Sequence, residues 1–240
     1  MIYKSIFIDL DDTLWDTYHN NKECLEELYT DYHFNRYYAS FEAFFDIYMP
    51  HNLDLWAKYR SGEIDRQTLI LDRFLYVLRP LGIEDKKTVL SVNNDFLQRT
   101  TTKTRLVPGA IELLEYLRPS YRLFILSNGF REVQFKKLSN AGLAPYFERM
   151  ILSEDANIQK PHKGIFDFAL KNTNSRRSES LMIGDSWEAD IHWGLPIQDR
   201  PDMVESGRIT CRWIHPDPYS PLSGRDQIYP INRPFLQCPL

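Results

Sequence analysis

Ile2-Tyr-Lys-Ser-Ile6-Phe7-Ile8-Asp9-Leu10-Asp11-Asp12-Thr13 opens the chain. Its first seven residues read as a short buried strand, and the run of carboxylates breaks it. A carboxylate at the end of such a strand stands where open parallel sheets bind ligands, beyond the carboxyl ends of their strands. Asp11, two residues on, projects to the same side if the backbone stays extended. Asp9 can attack phosphorus, and Asp11 can give a proton to a leaving oxygen and take one from water. Taken alone, Asp, Asp and Thr also read as an ordinary capped turn.

Further along, the pattern of residues 106–191 alternates strands with helices. Arg122–Leu126, Met150–Leu152 and Leu181–Ile183 read as buried strands. Helices follow Pro108 and cover Glu132–Asn140, Lys163–Leu170 and the stretch after Glu188. That alternation implies right-handed crossovers and a parallel sheet, which the first strand joins. The fold expected is α/β: a Rossmann-like parallel-sheet core with an inserted helical cap domain. Residues 1–16 and 106–240 form the core, and residues 17–105 form the insertion.

The insertion carries helix signals and no strand signal. Leu25, Leu28, Tyr29 and Tyr32 fall at helical spacing. Ser40 caps a helix carrying Phe41, Phe44, Phe45 and Tyr48 that should stop near Pro50. A further helix with Leu53 and Trp56 ends at Gly62. Asp65 caps another, stopped at Pro80, and Glu84 to Thr100 gives the last.

The strand ends, read together, collect Asp9 and Asp11, then Ser127 and Asn128, then Gly184 and Asp185, with Lys160 after a loop. Carboxylates with one ammonium suit a hard divalent cation and a phosphate whose charge must be neutralised. Each segment alone has a plainer reading. Ser127-Asn-Gly is a good turn, Lys160 a solvated charge, and Ser186 a helix N-cap.

Their order resembles the four motifs of the haloacid dehalogenase superfamily. The first matches Asp9-Leu-Asp11-Asp-Thr13, and the second Ser127. Lys160-Pro161 matches the third, and Gly184-Asp185 with Asp190 the fourth. The resemblance covers about residues 1–191 and implies roles. Asp9 would be nucleophile and Mg²⁺ ligand. Asp11 would be the general acid/base and lend its backbone carbonyl to the metal. Ser127, Asn128 and Lys160 would bind phosphate, and Asp185 would complete the protein's metal ligands. Asp190 and Thr13 would support them. Because Asp11 is present, phosphate-ester hydrolysis is expected rather than carbon–halogen cleavage. The helical insertion would close over the site as a cap and select small substrates.

Leu55-Trp56-Ala-Lys-Tyr59, Ser127-Asn-Gly-Phe130 with Gln134, and Lys160-Pro-His-Lys-Gly-Ile-Phe166 look like the branch that hydrolyses pyrimidine nucleoside 5′-monophosphates. Trp15, Tyr18, Phe44, Phe45, Tyr48, Trp56 and Tyr59 form the pool of rings that could stack a base, with Trp15, Trp56 and Tyr59 foremost. A sugar-phosphate or other small-metabolite phosphatase is the alternative substrate reading. A non-catalytic or damaged family member is the alternative of another class.

Composition narrows the setting. The 240 residues carry 29 basic and 33 acidic side chains, a net charge of −4, so a nucleic-acid polymer or an anionic membrane is not the expected partner. The expected partner is a small phosphorylated metabolite, bound by a monomer or homodimer. Three scattered cysteines suit a reducing cytoplasm and no disulfide framework. The six histidines lack metal-ligand spacing; His162 reads as a surface loop residue.

One part of the chain is different in texture. Eight of the 14 prolines lie after His192, and no lysine follows Lys171. Pro196 and Pro201 should cut the fourth-motif helix short. The expectation is that the coding frame shifts near residue 192, so that the tail did not evolve with this core. A genuine divergent tail is the alternative.

Overall fold

The computed structural model describes residues 3–186 together with Ala189 and Asp190. The expected tail from residue 192 lies outside the described residues. Four short strands, β1 (Ser5–Ile8), β2 (Arg122–Ser127), β3 (Arg149–Leu152) and β4 (Ser180–Ile183), form one sheet. Their order is β3-β2-β1-β4 and every pairing is parallel. Ile8 stands level with Ile125 on one side and Ile183 on the other. That register brings the residues after three strands to one edge.

Side-chain alternation then sorts the core into two layers. Ile6, Ile8, Leu123, Ile125, Met150 and Leu152 face one way. They pack on α5 (Ala110–Leu117) and α6 (Arg131–Asn140) through Leu113, Leu114, Leu117 and Leu138. Phe7, Phe124, Leu126 and Ile151 face the other way, onto Ile165, Phe166, Ala169 and Leu170 of α8 (Lys163–Thr173). A one-turn helix, α7 (Ser153–Ala156), follows β3. Burial on both faces explains why these strands read as continuous apolar runs.

Between β1 and α5 lie four helices: α1 (Thr17–Asp31), α2 (Phe41–Ser61), α3 (Arg66–Leu78) and α4 (Lys86–Thr102). Each begins at a side chain that accepts from its own first turn: Asp16, Ser40, Asp65 and Asp85. Such caps satisfy backbone donors that the helix cannot. Gly62, at φ 78°, ends α2 in the left-handed conformation where glycine carries no side-chain penalty. Phe44, Tyr48, Phe74, Val77, Val89 and Phe96 fill the centre of this block.

One expectation fails here. The helix begun at Ser40 does not stop near Pro50 but runs on to Ser61, joining two expected helices into one. Proline costs a helix one backbone donor and crowds the preceding turn. Pro50 is exposed, while Phe44, Tyr48, Asn52 and Leu55 on the buried face continue across it, so packing outweighs the local cost. Among the described residues, no helix is long and apolar enough to cross a membrane.

Because the packing of α2 does not use the ring of Pro50, Pro50→Ala should stabilise the protein, by roughly 1 to 3 kcal/mol. Urea denaturation of the two proteins measures it. An unchanged or lowered midpoint would mean that the proline ring is itself part of the packing.

Candidate active site

The sheet edge assembles the charged residues. Asp9 leaves β1 with its backbone N–H bonded to the Ile183 carbonyl at 2.9 Å, which pins it beside β4. Its carboxylate is 6% exposed. Lys160 Nζ lies 2.6 Å from Asp9 Oδ1 and 2.6 Å from Asp190 Oδ1. The lysine is 2% exposed and Asp190 1%. Burial works against the ammonium, yet the two carboxylates raise its pKa above the usual lysine range. It therefore stays charged in the interior.

Asp190 is held on its other oxygen by the Ser186 N–H at 3.2 Å. A β-carbon on Gly184 would overlap the Asp190 carboxylate, which explains glycine at that point of the motif. Asp185 and Thr13 are tied reciprocally. The Asp185 N–H donates to the Thr13 hydroxyl at 3.0 Å, and that hydroxyl donates to Asp185 Oδ1 at 3.3 Å. One carboxylate oxygen each from Asp9, Asp185 and Asp190 lie within 4.8 Å of one another.

The electrostatics follow from this crowding. Burial pushes the Asp9 pKa well up; Lys160 opposes it, and Asp190, Asp185 and Asp11 add to it. Burial, with Asp190 beside it, pushes Asp185 up to about 6. Burial, with Asp185 and Asp11 nearby, pushes Asp12 up to about 7. An all-oxygen donor set with excess negative charge fits a hard divalent cation.

Ser127 ends β2 and is 1% exposed. Its hydroxyl oxygen accepts from Gln134 Nε2 at 2.8 Å and from the Gly129 N–H at 3.1 Å. With two bonds accepted, its O–H is left to donate. Asn128 follows Ser127. Its side chain is committed to the backbone of Lys160, donating to the carbonyl at 3.0 Å and accepting from the N–H at 2.9 Å. That side chain positions the lysine loop.

Asp11 has partners that the sequence reading did not assign. Lys137 Nζ lies 2.6 Å from Oδ1, Gln134 Nε2 2.7 Å from Oδ2, and Thr17 Oγ1 3.1 Å from Oδ1. Burial alone would raise the pKa of this carboxyl, but the Lys137 charge and the three hydrogen bonds hold it below the usual carboxylate range. Gln134 entered only through resemblance, and Lys137 and Thr17 not at all. Val133, Gln134, Lys137 and Leu138 make the buried face of α6, where a lysine needs a counter-charge, but the exposed Phe135 hides that face in the sequence.

Of the expected substrate-facing rings, Trp15 is placed elsewhere. It is 0% exposed, lies in the core beside Leu10 and Leu14, and donates from Nε1 to the Lys103 carbonyl at 3.1 Å. Trp56 and Tyr59 are half-buried and pack on Phe130, three residues past Ser127, with ring centroids 5.4 and 6.0 Å away. Phe44, Phe45 and Tyr48 are core of the insertion. His162 is exposed and accepts from the Gly164 N–H, as a surface loop residue does.

Residues 3–193 match the family model described as haloacid dehalogenase-like hydrolase. The pyrimidine 5′-nucleotidase YjjG of Escherichia coli is 32% identical over 212 residues, covering 88% of this chain and 85% of its own. The pyrimidine 5′-nucleotidase PynA of Streptococcus pneumoniae is 31% identical over 196 residues, covering 81% and 80%. Among solved structures, the hydrolase YfnB of Bacillus subtilis bound to magnesium superposes with a TM-score of 0.72 at 27% identity, covering 81% and 85%.

Asn128→Ala removes both bonds to the Lys160 backbone and should cost about 1 to 3 kcal/mol of stability. Asn128→Asp keeps the acceptor alone and should fall between that variant and the parent. Denaturant titration of the three proteins checks the order; equal stabilities would mean that the clamp is not needed to hold the lysine loop.

Proposed function

Because the chain belongs to the haloacid dehalogenase-like hydrolases, we propose that it is a Mg²⁺-dependent phosphomonoesterase acting on nucleoside 5′-monophosphates through an aspartyl-phosphate. The observation that carries this reading is the buried Asp9–Lys160–Asp190 network with Asp185 beside it and Asp11 two residues on. The nucleotide preference draws on the two pyrimidine 5′-nucleotidase relatives.

Asp9, Asp185 and the backbone carbonyl of Asp11 are the groups that would hold the ion. The bound ion would supply positive charge that lowers the repulsion between an anionic nucleophile and an anionic ester. This chain's residues do the rest. Lys160 holds the Asp9 carboxylate in place and shares its charge with the transferring phosphoryl group. The Ser127 O–H donates to a phosphoryl oxygen. Asp9 attacks phosphorus, the bond to the leaving oxygen breaks, and that oxygen takes a proton from Asp11. Water then gives a proton to the Asp11 carboxylate as its oxygen attacks phosphorus. Phosphate departs, the Asp9 carboxylate is restored, and Asp11 is again protonated.

Lys137 and its companions favour the carboxylate form of Asp11, which suits the second step. A phosphoester dianion beside Asp11 acts in the opposite sense, raising its proton affinity for the first. The helical insertion, proposed as a cap over residues 17–105, would exclude bulk water from both steps.

Asp9→Asn should abolish phosphate release, by more than about 10³-fold, while the circular dichroism spectrum is retained. Near-normal turnover of a nucleoside monophosphate by that variant would remove Asp9 as nucleophile. A panel of nucleoside and sugar phosphates compared by kcat/KM tests the substrate; a sugar phosphate preferred over every nucleotide would replace the nucleotide reading.

Asp185 and Asp12 have folded pKa values, about 6 and about 7, above the 3.8 of a free aspartate. The folded state thus binds more protons between those limits, and stability falls as pH rises through the window. A divalent cation relieves that repulsion. Excess Mg²⁺ should therefore raise the melting temperature more at pH 8 than at pH 5, where protons already neutralise the carboxylates. An equal shift at both pH values, or none, would count against metal binding here.

A further inference from the structure

We propose that Gln134 and Lys137 are positioning residues that fix the Asp11 carboxylate relative to the Ser127 hydroxyl, and that Gly129 is glycine to let Gln134 do so. The proposal rests on reading Asp11 as the proton-transfer group of a phosphatase. Asp11 lies past the end of β1, where the sheet pairing has given way to an isolated bridge with Trp15 that does not engage its carboxylate. Its two oxygens are instead taken by different residues of α6. Lys137 binds Oδ1 at 2.6 Å and Gln134 binds Oδ2 at 2.7 Å. Three residues apart on a helix, these side chains share one face.

Gln134 makes a second contact with the same Nε2, to Ser127 Oγ at 2.8 Å. One amide therefore spans the proton-transfer carboxylate and the phosphate-binding hydroxyl, and sets the spacing between them. To do this it crosses Gly129, where a β-carbon would overlap its Cγ and Cδ. Gly129 is not held at positive φ, so glycine answers here to the space that Gln134 needs rather than to backbone strain.

Lys137 is fixed from below. Its ammonium stands 3.9 Å from the centroid of the Trp15 ring. That ring is fully buried and tethered to the Lys103 carbonyl. Among the described residues, Asp11 is the one carboxylate paired with Lys137. A buried ammonium between an aromatic face and one carboxylate has little freedom, and it passes that restriction to Asp11. Trp15 thus serves the site from the core, through Lys137.

Proton transfer from Asp11 matters most when the leaving oxygen is strongly basic, as in a nucleoside or sugar phosphate. It matters little for p-nitrophenyl phosphate, whose leaving group departs without a proton. The ratio of kcat/KM for the two ester types therefore reads the placement of Asp11, and general loss of folded enzyme cancels from it.

Lys137→Met keeps the stem on Trp15, and Gln134→Leu keeps the volume over Gly129. Each should lower the alkyl-to-aryl ratio roughly 10- to 100-fold, part of what an acid–base group supplies. Gly129→Ala, which touches Asp11 through Gln134 alone, should lower the ratio in the same direction. Equal losses on both esters, or an unmoved ratio, in variants with native circular dichroism would overturn the positioning role. A parent protein active on neither ester would instead overturn the phosphatase reading, and this proposal with it.

Discussion

Lys160 is the charge on which the sheet edge depends. Buried carboxylates repel one another, and the carboxyl ends of β1 and β4 bring Asp9, Asp185 and Asp190 within 4.8 Å. One ammonium at 2.6 Å from two of them makes that crowding tolerable. The lysine cannot wander, because Asn128 holds its backbone on both sides of the peptide. Asn128 in turn follows Ser127 at the end of β2, so three strands and one loop are fixed by one set of bonds. The balance still leaves excess negative charge, the electrostatic setting in which a divalent cation binds.

Much of this was legible because the site residues obey a positional rule. Asp9, Ser127 and Asp185 each follow an apolar run, and ligands bind where such runs end in a parallel sheet. The helix caps Ser40 and Asp65 were legible for a similar reason: they precede periodic apolar residues and act within three positions of themselves. Local rules suffice where both partners are close in sequence.

They fail where tertiary packing decides. Pro50 carries a local signal to stop, which the continuous buried face of α2 overrides. Lys137 looks like any helix-surface lysine until α6 is seen lying against Asp11, 126 residues earlier. Trp15 looks like a ring available to a ligand until its neighbours in the core are known. The grip of Asn128 on the Lys160 backbone is seen only once Lys160 is found across the loop. Each of these depends on a partner distant in sequence, and periodicity contains no information about such a partner.

The insertion is joined to the catalytic loop in a way that bears on how the two act together. Asp12 accepts from the N–H groups of Thr17 and Tyr18, the first two residues of α1, at 3.0 and 3.3 Å. A carboxylate at a helix N-terminus meets unpaired donors and the positive end of the helix dipole. The Thr17 hydroxyl then reaches Asp11 itself. On the far side, Arg66 of α3 lies 4.3 Å from the Phe130 ring centroid and pairs with Glu132 and Glu154 of the core. Trp56 and Tyr59 close on the same ring. The helical block thus grips the loop after β1 and the loop after β2, the two segments that carry Asp11 and Ser127. The seating of the insertion and the placement of Asp11 and Ser127 are therefore mechanically one problem, and α6, whose Gln134 bonds both residues, is where they meet.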